Sequence, residues 1–198
     1  MLKRLALAGL AAVAGLACVG TVTDRDYPAL SERRAPILRI AVAPFGAQPE
    51  NAVPSAALVA RHLTEALVDR GVEVVGPEDV ARALGGVEPP GVPALAALVK
   101  SQFDADALVL GEITRWVERE GAAAGTLRPA SVGLRVELYG APQGEKLWEG
   151  EFDHTQQAMS ENVLLTPRYP GGGTRWLTAE EFAQFAASEL AAALPLAR

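Results

Sequence analysis

The chain has 198 residues, and few of them suit covalent or acid–base chemistry: two histidines, one cysteine, and 24 carboxylates against 18 Lys and Arg. His62 stands among apolar residues at helical spacing, which fits a packed or half-exposed helix residue better than a general base. His154 follows Asp153, but neighbours along a strand point to opposite faces, so the two do not converge on one reacting atom. Cys18 is the single thiol, so no internal disulfide and no multi-thiolate metal site can form. No serine lies in a Gly-x-Ser-x-Gly turn, and no Gly-x-x-x-x-Gly-Lys-Ser/Thr string occurs. Gly171-Gly172-Gly173 neither follows a buried strand nor opens a helix, so it is a loop and not a phosphate cradle. Asp104 and Asp106 lack the spacing of a calcium loop, and capping or turn duty accounts for them. Glu180 and Glu181 suit the positive end of a helix. The expectation is a non-enzyme with no catalytic residue, metal or cofactor.

Binding surfaces are the better candidates. Trp116, Trp148 and Trp176 fall near the ends of strands or loops, and Arg168, Tyr169 and Arg175 flank the glycine run. Trp, Tyr and Arg dominate the energetics of protein interfaces, so these six residues form the expected partner surface. The competing reading is that the aromatics fold back and close the core.

These groups must be positioned by what precedes and surrounds them. Residues 1–17 read as a basic start, Lys3-Arg4, and a short apolar run, followed by Cys18. The run is too short for a membrane-spanning helix, which needs ~20 residues, and has the form of a secretory signal. It resembles a bacterial lipoprotein signal with its lipobox, Gly15-Leu16-Ala17-Cys18, although Gly15 stands where Leu is usual. The resemblance implies cleavage before Cys18 and a lipidated N-terminus there; ordinary secretory cleavage with an incidental cysteine is the alternative. Val19, and not Asp, follows the cysteine, which by resemblance to sorted lipoproteins implies the outer membrane of a Gram-negative cell, with the domain facing the periplasm. Residues 18–36 are polar, carry Pro28 and Pro36, and read as a flexible tether of ~60 Å at ~3.3 Å per residue. Residues 37–198 then form one periplasmic domain, large enough for a proper core. Loss of Lys3 and Arg4 moves the formal charge from −6 to −8, which argues against nucleic acid as a partner.

Within the domain, residues 37–45 form a near-continuous apolar run, the mark of a strand buried on both faces. A helix opened by Pro54 and closed by Gly71 follows, then a strand over 72–75. Helices are expected over 77–84 and 94–103, with a proline-rich loop over 87–93 between them. Residues 105–120 read as a strand whose second half alternates, and 121–129 as a loose turn. Residues 132–139 and 146–152 form a hairpin about a turn at 142–145. Residues 153–175 are irregular, with a short helix expected over 159–165. Thr178 and Glu181 make a capping box for a last helix with Phe182, Phe185, Leu190 and Leu194 near one face. Strands alternating with helices, then antiparallel hairpins, imply an α/β sandwich with a mixed sheet packed by helices and a C-terminal helix.

Several strings carry a family resemblance. Ile40-Ala-Val-Ala-Pro-Phe45, Gly71-Val-Glu-Val-Val75, Asp104-Ala-Asp-Ala-Leu-Val-Leu-Gly-Glu-Ile113 and the Leu134–Tyr139 and Lys146–Gly150 hairpin are similar, in order and spacing, to a group of bacterial envelope lipoproteins. That group includes the curli-secretion lipoprotein CsgG and the penicillin-binding-protein activator LpoB, with the N-terminal domain of TolB similar. The resemblance covers roughly residues 37–155 and implies a small α/β sandwich on an outer-membrane lipid anchor. It implies an adaptor or regulator that binds an envelope protein, such as a peptidoglycan synthase or a transport component, or a subunit of an oligomeric secretion complex. The long paired hairpins that would build a transmembrane barrel are missing, and residues 153–198 have no counterpart in the activator proteins.

Overall fold

The computed structural model describes residues 21–33, 35–87, 91–158, 160–161, 164 and 166–196. Cys18 and the signal segment lie outside the described residues.

A strand that is apolar on both faces needs cover on both, and β2 (Arg39–Val42) has it. It lies between two parallel neighbours, β4 (Glu73–Val75) and β5 (Ala107–Val117). Ile40 and Val42 enter one core, while Ala41 and Ala43 enter the other. β5 continues into an antiparallel pairing with β8 (Ser131–Gly140), which pairs with β9 (Lys146–Thr155). β9 in turn pairs with β1 (Thr23–Asp26). Among the described residues the main sheet therefore runs β1-β9-β8-β5-β2-β4, with the short β3 (Gly46–Ala47) also on β5.

Helices α2 (Ala56–Asp69) and α5 (Ala179–Ala193) cover one face, where Leu63, Leu67, Phe182 and Leu190 pack on Val109, Ile113, Leu134 and Leu138. Helices α3 (Pro77–Leu84) and α4 (Val92–Phe103) cover the other face around β2, with Val80, Leu95, Ala96 and Val99 packed on Ala41, Leu108 and Tyr139. The fold is thus a mixed α/β sandwich, with three layers around β2 and two around β8 and β9. α5 starts as its sequence dictates: the Glu181 N–H donates to Thr178 Oγ1 (3.2 Å), and the Thr178 N–H donates to the Glu181 carboxylate (3.0 Å). Burial also needs room. Gly111 lies under the Phe45 ring, where an added Cβ would come within 2.0 Å of ring carbon, so any larger residue here must displace the ring.

Three elements differ from the sequence reading. The expected tether over 18–36 is not a free leash from residue 21 onward: β1 forms an edge strand, and α1 (Pro28–Glu32) follows it. The loose turn over 121–129 is a small hairpin, β6 (Glu120–Ala122) with β7 (Gly125–Arg128), projecting beyond the end of β5. Pro54 lies inside a 3-10 turn, Glu50–Ser55, and the α-helix begins only after it. The helix expected over 159–165 falls largely outside the described residues. No described helix is long and apolar enough to cross a membrane.

Candidate functional site

The six residues expected to form a partner surface do not form one. Trp148 lies on the same side of its strand as the core residues and is fully buried, its indole N–H donating to Asp24 (3.1 Å). Trp116 is 6% exposed and donates to Glu118 (3.1 Å). Tyr169 is buried edge-on against Phe182 and Phe185, with ring centroids at 5.6 and 5.2 Å. These three aromatics close the core, because a large ring at a strand end or loop gains more from burial than from water. Arg168, Arg175 and Trp176 remain at the surface. Arg168 pairs with Glu189, and Arg175 with Glu181 at 2.7 Å. Arg175 holds Glu181 well below the usual carboxylate range, at about 2. Trp176 is half-buried, held by its backbone: its N–H donates to Ala123 (2.9 Å), and its carbonyl accepts from Arg119 (2.5 Å).

The other candidates serve the fold. His62 is half-buried on α2, 3.6 Å from Glu65. His154 Nε2 meets the Thr21 carbonyl at 2.8 Å, and since a carbonyl only accepts, that nitrogen carries the proton. Asp104 takes the left-handed conformation that ends α4 (φ 54°). The Asp106 carboxylate accepts from the N–H groups of Leu38 and Arg39, each at 3.1 Å. Burial works to raise its pKa, but those donors and Lys100 outweigh it and hold the group below its ordinary value.

What the sequence reading missed is the sheet face opposite α5. Register places Glu112, Arg135 and Glu151 in one row across β5, β8 and β9, with Glu137, Glu149 and Arg25 in the next and Arg115 and Asp153 beyond. Arg135 lies 3.8, 3.9 and 4.0 Å from Glu112, Glu149 and Glu151, and Arg115 pairs with Asp153 at 2.6 Å. At the lower end, Lys146 bonds Glu137 and Glu149 and lies 5.4 and 5.7 Å from the rings of Tyr27 and Tyr139. Tyr27 donates to Glu149 and Tyr139 to Glu137, each at 2.9 Å. Burial tends to lower the Lys146 pKa, but its two carboxylate partners hold it above the ordinary value. Burial and Glu137 push Tyr139 up to about 12. The Tyr27 bond, then Lys146, hold Glu149 below its ordinary value. The signal for this face was the alternation of apolar and charged residues along 132–139. Each carboxylate here is matched to a cation or a phenol, so the arrangement is a fixed charge pattern suited to docking.

The class that this fold defines is an α/β sandwich on a mixed sheet, with an N-terminal edge strand and a C-terminal helix. No protein-family model and no curated protein matches the chain. Among solved structures, the PelC subunit of a dodecamer from Paraburkholderia phytofirmans is similar, at 18% identity and TM-score 0.54, over 90% of this chain and 99% of that one. The LpoB C-terminal domain from Escherichia coli is similar at 17% identity and TM-score 0.45, over 65% of this chain and 94% of that one. Lipoprotein GNA1162 from Neisseria meningitidis is similar at 17% identity and TM-score 0.44, over 60% and 82%. The likeness to the PelC subunit is one of fold, and it spans both chains nearly end to end.

Proposed function

We propose that the chain is a lipid-anchored protein of the bacterial envelope that works without catalysis, by binding protein. In this reading Cys18 carries the lipid, the domain faces the periplasm, and the protein is an adaptor or regulator in outer-membrane or cell-wall assembly. The observation that carries it is the open face of β1, β9, β8 and β5, where charged side chains stand in register across the strands. Crosslinking in cells tests it, with the lipidated chain beside Cys18→Ala and Arg135→Glu. One envelope protein, such as a peptidoglycan synthase, enriched by the lipidated chain and lost with Arg135→Glu, supports the adaptor. Enrichment indifferent to Arg135→Glu shows that the partner docks elsewhere than on the open face.

A second reading is favoured by the likeness to a subunit of the PelC dodecamer: an oligomeric subunit of a secretion or transport complex. Light scattering of the detergent-solubilised chain decides between the two. A defined multi-copy species supports the oligomer, and a monomer at every concentration overturns it.

A further inference from the structure

The edge strand β1 changes where the domain can sit. Thr21 is 4% exposed; its carbonyl accepts from His154, and its hydroxyl bonds Glu189 on α5. Four residues then pair with β9, from Thr23 opposite Glu151 to Asp26 opposite Trp148. Asp24 takes the Trp148 indole N–H, and the Tyr27 N–H donates to Leu147 (2.9 Å). Thr21, held in this way, is only three residues along the chain from Cys18. Three residues span at most about 11 Å whatever their path, against ~60 Å for the free tether that composition alone suggests.

The antiparallel register also states which end is leashed. Thr21 lies where β9 ends, β8 begins and β5 ends. The β6–β7 hairpin projects at that same end, tied to the loop before α5 by the bond from the Trp176 N–H to Ala123. Leu127 on this hairpin is 89% exposed. Val53 is 58% exposed on the 3-10 turn, whose Asn51 side chain donates to the Trp116 carbonyl near the end of β5. A leucine so exposed on a short hairpin gains nothing from water, and the nearest apolar phase within reach of the leash is the bilayer.

Resting on the reading of Cys18 as lipidated, we propose that this end of the sheet is a lipid-facing surface. The short leash holds the β6–β7 hairpin against the bilayer, with Leu127 dipping into the headgroup and acyl boundary. The occupant is the lipid surface itself. Attraction here is chiefly apolar, since Arg128 is paired with Glu120, Arg175 with Glu181, and Arg119 is turned onto the Trp176 carbonyl.

The test uses the full lipidated chain in vesicles of phosphatidylethanolamine and phosphatidylglycerol. Acylated Cys18 leaves no other thiol, so Leu127→Cys and Leu38→Cys each accept one fluorophore. Leu38 is also exposed, at 65%, but it precedes β2 at the opposite end. The length of β5 separates the two ends by about 35 Å. Nitroxide-labelled lipids are expected to quench the probe at 127 and spare the one at 38. A flexible linker of about 20 residues inserted after Gly20, with an r.m.s. span of about 25 Å, is expected to abolish that difference. With Cys18 acylated by intact mass, equal quenching at both positions overturns this proposal alone. So does a probe at 127 shielded from water but unreached by lipid quenchers, which indicates a protein contact. An unmodified Cys18 overturns the anchor reading, and this proposal with it.

Discussion

On one side of β8, Val132, Leu134, Val136 and Leu138 are at most 1% exposed. On the other side of the same strand, Arg135 and Glu137 stand in ion pairs with side chains 38% and 24% exposed. One strand thus joins two regimes through its period of two. Burial contributes roughly 25 cal/mol per Å² of apolar area on the first face. Exposed ion pairs contribute about 0–1 kcal/mol each on the second. Stability lives under α5, and the charged face contributes little to it.

The comparison can be broken at its strongest point first. Trp148→Ala empties a fully buried site and removes the partner of Asp24, so it is expected to cost about 3–5 kcal/mol in urea unfolding. A loss under about 1 kcal/mol means the indole is not packed as described. Gly111→Ala is next. Its Cβ would meet the Phe45 ring at 2.0 Å, and overpacking of this kind is expected to cost about 1–3 kcal/mol. An unchanged urea midpoint would show that Phe45 moves aside freely. On the charged face, Glu149→Gln is expected to change stability at pH 7 by no more than about 1 kcal/mol. Its pH dependence has a definite sign. The folded pKa of Glu149 lies below its ordinary 4.5, so its contribution is present above that value and fades as pH falls below it. The wild type should therefore lose its advantage over Glu149→Gln on acidification below about pH 4.5. A gap between the two that is constant from pH 7 to pH 3 would refute the pairing with Tyr27 and Lys146.

Local signals in the sequence carried far, and long-range ones did not. β2, the β8–β9 hairpin and the α5 capping box were legible because each is specified by residues a few positions apart. The mixed sheet followed from their order. β1 was not legible: all four of its side chains are exposed, so no apolar period marks it. The β6–β7 hairpin hides in Gly121 to Gly125, a stretch of glycine and alanine with little strand propensity. The tryptophans were ambiguous for a different reason. Trp, Tyr and Arg serve cores and interfaces alike, and only the register of β9 places Trp148 inside. The charged sheet face was present in the alternation of residues 132–139, but its rows of Glu112, Arg135 and Glu151 needed three strands in register to appear.

The edge strand also sets an order of events. Asp24 and Trp148 are 124 residues apart, and Tyr27 and Glu149 are 122 apart. Contacts closed over such distances form late, because the loop entropy must be met before they return anything. A chain delivered N-terminus first presents β1 long before β9 exists to receive it. Once β9 has formed and until β1 docks, the rim of β9 is an unpaired row of N–H and C=O groups, the kind of template another chain can occupy. The last strand to join is thus the first to be made, and its arrival closes the window in which the half-folded domain can pair with the wrong neighbour.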